Sequence, residues 1–440
     1  MDRVSSSLPV LAAIVLGMAG CSDFLGSGGD DGPPEIEWVT PADGESGVSV
    51  LETIRVRFSN RLAAATLASG VTLRSGGRQV VTEMSLTDGR ILEIVPTDPL
   101  DFGTVYDQAV TSAVTSAGGA ALAQEATLTF TTRGAPPPYP NQDSLRVHVE
   151  ALAHDSMRGR GSGSEDELRA AEYLVERLGG YGLEPASAGM IQAFQARSLR
   201  GDTLLSSRNV LAALPGDGSL AGEWLVVGAH YDHIGFRGLE SEIGGPNNGA
   251  DDNASGTALL LEMARALQAY VDANGMAGAP RRSVLFAGFG AEEEGLLGSC
   301  YYVFGDPVAP LAATRGMMNL DMVGRLRANE LVVSGQETAD AWPALLSNAN
   351  AAGLHLLRPP SNAPGNSDHA CFWQAGIPWV GFFTGFHGQY HAQDDDVALI
   401  DFEGMGRVGD LGIRILTRLM VDPEPPGFTG PIPALSQGPG

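Results

Sequence analysis

An α/β fold with a mostly parallel central sheet flanked by helices is predicted for the larger, C-terminal part of this 440-residue chain. Dense apolar runs at 224–229 and 283–287 are typical of buried strands, and residues 256–273 have the apolar spacing of a helix. Such alternation favours a parallel sheet covered by helices on both faces. Earlier in the chain, short and partly alternating segments between Gly, Asp and Pro turns predict an all-β sandwich.

The N-terminal 21 residues have the features of an export signal. The apolar run at 8–20 is too short to span a bilayer but suits a signal peptide. It ends in Met18-Ala19-Gly20-Cys21, which resembles the bacterial lipobox, whose cysteine is acylated after cleavage. We therefore expect residues 1–21 to be a lipoprotein signal peptide with Cys21 as the lipidation site, the alternative being an ordinary secretory signal. Because Ser22 follows, the resemblance implies anchoring in the cell envelope, at the outer membrane.

Two segments precede the α/β domain. Residues 22–34 are rich in Gly and Asp and predict a flexible tether. Residues 35–133 hold the alternating segments, such as 54–58 and 126–132, and resemble the bacterial Ig-like modules of secreted proteins. Within 35–133 the sequence offers no cluster of reactive side chains, so we expect this module to be a spacer or a binding element.

A proline-rich stretch marks the clearest domain boundary. Residues 136–140 read Pro-Pro-Pro-Tyr-Pro, which favours a stiff polyproline linker over 134–144. The α/β domain is then predicted over 145–422, and its first strong helical pattern lies at 165–178. Residues 423–440 are rich in Pro and Gly and are predicted to be a disordered tail.

Composition narrows the range of partners. The formal net charge of −25 argues against nucleic acid, because binding polyphosphate requires clustered Lys and Arg. It also argues against anionic membrane surfaces, so membrane contact is expected only through the N-terminal lipid anchor. Besides Cys21, the cysteines are Cys300 and Cys371, and either one disulfide or two buried free thiols would fit an exported protein.

Polar residues come directly after the predicted strands, where open α/β sheets bind ligands. His230 and Asp232 follow the run at 224–229. In an extended chain they point the same way, so Asp232 could accept a hydrogen bond that fixes the His230 ring for a metal. Taken alone, a His-x-Asp pair at a strand end is more often structural than functional.

Two clusters of acidic residues strengthen the case for a metal. Asp251 and Asp252 lie at a turn that leads into the helix at 256–273, and adjacent carboxylates repel unless a cation sits between them. Helix capping would explain one of them but not both. Residues 292–294 are three consecutive Glu just past the strand at 283–287, where a charged run faces the cleft rather than solvent.

The remaining polar residues complete a ligand set suited to zinc. Asp321 stands among apolar residues in Asn319-Leu-Asp-Met-Val-Gly324, and Tyr390 and His391 lie in a loop with His387 and three consecutive Asp. Histidine nitrogens together with carboxylate oxygens at the ends of successive strands are typical of zinc sites.

These motifs, in the order in which they occur along the chain, resemble those of secreted zinc aminopeptidases. Those enzymes are the co-catalytic peptidases typified by bacterial leucyl aminopeptidases. The resemblance covers roughly residues 145–420. The segments that carry it are Ala229–Gly235, Gly249–Gly256, Ala291–Ser299, Asn319–Asp321, Ser367–His369 and Tyr390–His391.

The resemblance implies two Zn²⁺ ions per chain and assigns their ligands residue by residue. His230 and Asp321 would bind one zinc, and Glu293 and His391 the other. Asp252 would bridge the two ions, and it is the resemblance that selects Asp252 over Asp251.

Three further roles follow from the same resemblance. Glu292 would be the general base, Tyr390 would stabilise the oxyanion, and Asp232 would be the partner behind His230. The role of Ser367-Asp368-His369 stays open between structural support and shaping of the substrate site.

The implied function is that of a zinc-dependent exopeptidase acting on peptides, foremost an aminopeptidase that uses a metal-bridging water. Alternatives on the same fold are a glutaminyl-cyclase-like enzyme with one zinc and a glutamate-carboxypeptidase-like enzyme. A non-catalytic surface-binding protein, in which the Ig-like module does the work, is the alternative from another class. The complete set of five ligands argues against the cyclase, and the five ligands together with Glu292 argue against the inert protein.

Overall fold

The structure is a computed structural model that describes residues 31–430, apart from 50–51, 99, 102, 133, 137, 202, 237–244, 275, 277–279 and 360–366. The predicted signal peptide with Cys21, and the tether up to residue 30, lie outside the described residues. The chain divides into two compact units, residues 1–134 and 135–440. Among the helices of the described residues, none combines the length and apolar character needed to cross a membrane.

The first unit is a sandwich of two sheets, as its alternating sequence predicts. In strand β3 the side chains alternate between buried and partly exposed, which is the pattern of a sheet with one face packed inward. The elements are β1 Ile36–Thr40, β2 Glu45–Val48, β3 Ile54–Phe58, α1 Leu67–Gly70, β4 Val71–Ser75, β5 Arg78–Gln79, β6 Thr82–Thr87, β7 Ile91–Pro96, β8 Val105–Val110 and β9 Ala126–Thr132.

One sheet of the sandwich has the strand order β1-β3-β7-β6, and the other has β2-β9-β8-β4-β5. Neighbouring strands are antiparallel except for β2 and β9, which are parallel. Val56 and Ile94 of the first sheet share a single apolar core with Leu73 and Phe130 of the second. The hydrophobic effect of burying this core between the sheets holds the unit together.

The second unit is built on a nine-stranded mixed sheet with a parallel centre. Its strands are β10 Glu184–Pro185, β11 Ile191–Arg197, β12 Leu204–Leu214, β13 Trp224–His230, β14 Ser283–Phe289, β15 Thr314–Leu320, β16 Glu330–Ser334, β17 His355–Leu357 and β18 Trp379–Phe383. The path through the sheet is β10-β12-β14-β13-β15-β18-β16-β17, with β11 paired to β12. Strands β14, β13, β15 and β18 are mutually parallel, whereas β12 and β16 join this centre in the antiparallel sense.

Helices cover both faces of this sheet. Their bounds are α2 Gln142–Leu152, α3 Glu165–Gly180, α4 Gly256–Ala273, α5 Leu297–Cys300, α6 Trp342–Ala349, α7 His369–Gln374 and α8 Phe402–Val421. Successive residues of a strand point to opposite faces. Accordingly Leu225 and Val227 of β13 belong to the apolar core that includes α4 and α8, whereas Val226 belongs to a separate core on the α7 side.

Local capping explains where two of these helices begin. The Asn141 side chain accepts the main-chain N–H groups of Asp143 and Ser144, so α2 starts at Gln142, inside the stretch predicted as linker. Ser164 caps α3 in the same way. Tyr139 and Pro140, which belong to the predicted linker, contact glycines of α8. This part of the linker is therefore packed rather than free.

The predicted disordered tail also has packed residues. Thr429 donates its main-chain N–H to the carbonyl oxygen of Thr338 at 3.0 Å. Phe428 packs against the apolar core on the α7 side. Composition predicted a free tail from residue 423 because Pro and Gly carry little surface to bury, but one aromatic ring and one main-chain hydrogen bond attach residues 428–429 to the domain.

Candidate metal centre

The polar residues gather at the carboxyl ends of the central parallel strands. His230 is the last residue of β13, and Asp321 directly follows β15, its neighbour in the sheet. Glu292 and Glu293 follow β14, which pairs with β13 on the other side. Because parallel strands end at the same edge, residues far apart in sequence meet there.

Asp252 lies at the centre of the cluster and presents one oxygen to each half. Its Oδ1 is 3.5 Å from Nε2 of His230, which is also 3.5 Å from Oδ1 of Asp321. Its Oδ2 is 3.1 Å from Nε2 of His391, which is also 3.1 Å from Oε1 of Glu293. The five residues of the predicted ligand set are therefore brought together as two groups that share Asp252.

The donor atoms fit zinc. Imidazole nitrogens and carboxylate oxygens are its usual protein ligands. Asp252 is 3% exposed, and its buried Oδ2, although 3.1 Å from Nε2 of His391, forms no hydrogen bond of acceptable geometry among the described residues. A buried carboxylate oxygen left without a partner is costly unless a cation balances it. Two groups of donor atoms lie close enough together to hold a metal ion: His233, Asp252, Glu293 and His391 form one, and His230, Glu292 and Asp321 form the other.

Asp251, the neighbouring carboxylate, faces away from the cluster. Its Oδ1 accepts the main-chain N–H of Gly324 at 2.7 Å, and its Oδ2 lies 3.1 Å from Nε2 of His387. Asp251 thereby holds the chain just past Asp321. Of the two adjacent carboxylates, Asp252 therefore lies between the two groups and Asp251 holds the main chain, a distinction that the sequence made only through its resemblance to known enzymes.

Asp232 supports the loop that carries the two glutamates. Its Oδ1 accepts the main-chain N–H of Glu292 at 3.0 Å, and its Oδ2 accepts the Ser162 hydroxyl at 2.6 Å. The carboxylate lies 3.8 Å from Nδ1 of His230, beyond hydrogen-bond distance, while the Asp232 carbonyl oxygen is nearer at 3.3 Å. The expected support of His230 therefore comes from the main chain of Asp232, and its side chain anchors the glutamates instead.

Glu292 lines the cavity beside the cluster, with its carboxylate 4.0 Å from Nδ1 of His230. Burial raises its pKa well above the usual range against the opposing charge of His230, and the carboxylates of Asp368 and Asp321 raise it further. Glu293, beside it, has a lowered pKa because, despite its burial, hydrogen bonds from His233 and His391 favour the charged form. The two adjacent glutamates thus have opposite preferences for a proton.

Tyr390 stands at the mouth of the cavity. Its ring stacks on His391 with centroids 3.8 Å apart, and 39% of the residue is exposed. Phe386 packs edge-on between Tyr390 and Phe383, which gives the rim an aromatic wall. The cavity has a volume of about 170 Å³. Its polar floor and aromatic rim suit a ligand with both a reactive polar group and an apolar side chain.

The Ser367-Asp368-His369 segment forms another wall. The Ser367 hydroxyl accepts a hydrogen bond from Nδ2 of Asn319 at 2.8 Å, and His369 stacks on Trp379 with centroids 3.9 Å apart. Burial raises the pKa of Asp368 to about 7. Ser367 and His369 line the cavity, so these residues both support and shape it.

Several site residues were not predicted. His233 approaches Glu293 and Asp252, and Arg200 lines the cavity with its guanidinium 3.6 Å from Glu293. Arg160, fully buried, donates to the carbonyl oxygens of Tyr231 and Gly249 and so ties two site loops together. His233 lay within a motif that was recognised, whereas Arg200 and Arg160 carry no local signal because only tertiary folding brings them to the site.

The fold and the site define a metal-dependent α/β enzyme domain behind an all-β module in the sequence, and both domains are similar to known families. Residues 209–416 match Peptidase family M28, and residues 30–132 match the bacterial Ig-like domain. The C-terminal unit therefore contains a domain similar to Peptidase family M28, and a domain similar to bacterial Ig-like domains precedes it in the sequence.

Two known enzymes are similar to parts of this chain. Aminopeptidase YwaD of Bacillus subtilis is 34% identical over 196 residues, which cover 42% of this chain and 38% of YwaD. Leupeptin-inactivating enzyme 1 of Streptomyces exfoliatus is 27% identical over 341 residues, which cover 72% of this chain and 70% of that enzyme. The chain thus spans well under half the length of YwaD and about two thirds of the second relative.

Solved structures share the fold of the second unit. A zinc aminopeptidase from Bacillus subtilis superposes with a TM-score of 0.53 at 19% identity, covering 65% of this chain and 96% of that one. Glutaminyl cyclase from Porphyromonas gingivalis gives a TM-score of 0.51 at 23% identity, covering 64% of this chain and 99% of that one. One fold therefore occurs in both a peptidase and a cyclase. The fold alone does not distinguish the two activities, so the distinction must come from the residues of the site.

Proposed function

We propose that this chain is a zinc-dependent aminopeptidase that binds two zinc ions and removes N-terminal residues from peptides. The observation that carries the proposal is the position of Asp252, whose two oxygens face separate histidine–carboxylate groups. One ion would be held by His230, Asp252 and Asp321, and the other by Asp252, Glu293 and His391. When bound, the zinc ions supply a nucleophilic water at neutral pH and polarise the scissile carbonyl.

The protein's own residues supply the proton transfers. Glu292 lies beside the first group, 4.0 Å from His230, where its carboxylate can take the proton of the attacking water and pass it to the leaving amine. Asp232 holds Glu292 in place through the main chain. Tyr390, whose ring stacks on His391, would donate a hydrogen bond from its hydroxyl to the developing oxyanion.

The choice of an aminopeptidase rests on the relatives and on the cavity. YwaD, an aminopeptidase of Bacillus subtilis, is 34% identical over 42% of this chain, and the segment that holds the metal cluster matches Peptidase family M28. The aromatic rim of Phe383, Phe386 and Tyr390 suits an apolar side chain on the residue to be released.

One feature favours a second candidate, a carboxypeptidase of the glutamate-releasing kind. Arg200 offers a half-exposed guanidinium at the cavity wall, and an arginine is the preferred side chain for binding a carboxylate in a bidentate way. Such a contact could hold the C-terminus of a substrate. The glutaminyl-cyclase alternative lacks a comparable feature, and it requires one zinc rather than two.

A panel of aminoacyl anilides, their N-acetylated forms and carboxy-blocked peptides tests these alternatives. An aminopeptidase cleaves the free-amine substrates, spares the acetylated ones and loses activity in chelator. Cleavage of amino-blocked but not carboxy-blocked peptides would identify the carboxypeptidase instead. Metal analysis near two zinc ions per chain excludes the cyclase, and hydrolysis that survives complete zinc removal would refute the proposal.

We also propose that the enzyme is exported and held in the cell envelope, at the outer membrane, by a lipid on Cys21. The lipobox-like Met18-Ala-Gly-Cys21 supports this, and the Ig-like domain would then space the peptidase from the membrane. Fractionation of cells that express the full chain tests the anchor. The Cys21→Ser variant should lose lipid labelling and leave the membrane fraction; equal membrane retention of both proteins would contradict the proposal.

A further inference from the structure

His233 is a buried histidine at the metal centre that the five-residue ligand set leaves out. It is 0% exposed, and its main-chain N–H is fixed by the carbonyl oxygen of Arg160. Nδ1 lies 3.1 Å from Oε1 of Glu293 and 3.7 Å from Oδ2 of Asp252. Its ring meets that of His391 edge-on, with centroids 5.6 Å apart. The imidazole therefore faces the second group of ligands rather than the surrounding apolar core.

Four of the six donor-to-donor distances within this group are close to those of a tetrahedral zinc site. Zinc bonds of about 2.0–2.1 Å to nitrogen and oxygen place neighbouring tetrahedral ligands about 3.3 Å apart. Nε2 of His391 lies 3.1 Å from both Oδ2 of Asp252 and Oε1 of Glu293, and the two His233 distances are 3.1 and 3.7 Å. All four donor atoms lie within 4.8 Å of one another.

We infer that His233 is a fourth protein ligand of the metal ion held by Asp252, Glu293 and His391. This inference rests on the proposed two-zinc function and makes the two metal positions unequal. The second position has four protein ligands, two of them histidines. The first position has His230, Asp321 and the shared Asp252, which leaves a coordination place open for water or substrate.

Unequal ligand sets predict unequal affinities. A site closed by four protein ligands is typical of zinc that is retained, and a three-ligand site is typical of catalytic zinc. The second position should therefore fill first and empty last. A competing explanation gives His233 a lesser role, in which its Nδ1–H only donates a hydrogen bond to Glu293 and orients that ligand.

X-ray absorption on the wild-type protein separates the two explanations without any substitution. Metal-free protein is given one equivalent of zinc, and imidazole scattering is counted. Two histidines per zinc are expected if His233 is a ligand, and one histidine per zinc would overturn the inference.

Two variants test the same point through affinity. Asn at position 233 can place an amide N–H near the position of Nδ1 but is a poor zinc ligand, so His233→Asn should weaken the tighter zinc by more than about 100-fold, beyond the 10- to 100-fold typical of an orienting partner. His233→Cys supplies a thiolate ligand and should restore tight binding. The exposed His355→Asn variant is the matched control and should bind two zinc ions as the wild type does.

Cobalt gives a direct signature for the cysteine variant. Co²⁺-loaded His233→Cys should show a sulfur-to-metal charge-transfer band that the wild type and His355→Asn lack. Absence of the band with the metal bound, or tight binding retained by His233→Asn, would overturn the inference. A wild-type protein that binds no zinc would instead refute the proposed function, so the two failures are distinguishable.

Discussion

The carboxylate of Asp232 accepts the main-chain N–H of Glu292 at 3.0 Å, which fixes the loop after β14 to the end of β13. The same carboxylate receives the N–H of Glu293 at 3.3 Å and the hydroxyl of Ser162 at 2.6 Å. Burial raises the pKa of this carboxyl, and the hydrogen bonds from Ser162 and from the Glu292 N–H oppose that shift by favouring the charged form. Asp232 thereby sets the position of both glutamates at once.

Replacing Asp232 by Asn should therefore damage the site without removing a ligand. The asparagine amide keeps one acceptor oxygen, but its NH2 group faces a main-chain N–H. Because two donors cannot form a hydrogen bond with each other, the loop with Glu292 and Glu293 shifts. We expect zinc affinity to fall about 10- to 100-fold, as for other partners of metal ligands. Titration with a competing chelator measures this. Asp143→Asn, on the exposed side of α2, is the control, and unchanged affinity in Asp232→Asn would contradict the assigned role.

The proposed general base is tested by Glu292→Gln. This variant keeps the size and the main-chain hydrogen bond of Glu292 but cannot carry a proton. We expect kcat to fall about 100- to 10,000-fold while zinc content stays at the wild-type value. Steady-state kinetics with metal analysis measures both. The exposed Glu330→Gln should behave as the wild type, whereas full activity in Glu292→Gln would exclude it as the base.

Removal of one hydroxyl tests the oxyanion contact. Tyr390→Phe keeps the ring that stacks on His391 and loses the donor. Because the contact forms as charge develops, kcat should fall about 100-fold with little change in KM. Tyr139→Phe, in the proline-rich segment, serves as the control. A rise in KM at constant kcat would mean that Tyr390 binds the ground-state substrate instead.

His148 predicts a pH dependence of stability far from the metal centre. Its ring lies between the hydroxyls of Tyr173 and Tyr181, at 2.7 and 2.8 Å. Burial, with the positive charges of Arg177 and Arg265, lowers its pKa to about 4. The unfolded chain takes up a proton near pH 6.5 but the folded chain does so only near pH 4, so the stabilisation is complete above pH 6.5 and is lost as pH falls to about 4.

The lowering of the His148 pKa from 6.5 to about 4 corresponds to about 3 kcal/mol of unfolding free energy, which is lost as the pH falls across that range. Denaturant unfolding at pH 7 and pH 4.5 measures it. His148→Gln should flatten the profile between those values, and the exposed His355→Gln should leave it unchanged. An identical pH profile for His148→Gln and the wild type would contradict the prediction.

The structure joins Cys300 and Cys371 in a disulfide, with Cα atoms 5.2 Å apart and a sequence separation of 71. A loop of this length limits the unfolded chain, and the cross-link should contribute about 4 kcal/mol. Reductant should therefore lower the Tm of the wild type. The Cys300→Ala/Cys371→Ala double variant should start at the lower Tm and not respond to reductant; equal Tm values for reduced and oxidised wild type would show that the cross-link adds no stability.

Much of the fold could be predicted because its signals are local. The helix expected at 256–273 is found as Gly256–Ala273, and the run at 224–229 becomes the strand Trp224–His230. Apolar spacing and turn residues act over a few positions, so the sequence displays them directly. The linker and the tail were less predictable because their packing depends on α8 and on Thr338, which are distant in sequence.

The sequence by itself determined which residue types follow each strand, and their order carried the resemblance to zinc aminopeptidases. Only the tertiary structure decided how they meet: Asp252 turns an oxygen to each side while Asp251 turns to His387, and His233 reaches Glu293. It also decided the pairing of Cys300 with Cys371. The physical reason is that ligand geometry depends on distances between chain segments, which parallel strands bring to one edge of the sheet and which no local pattern records.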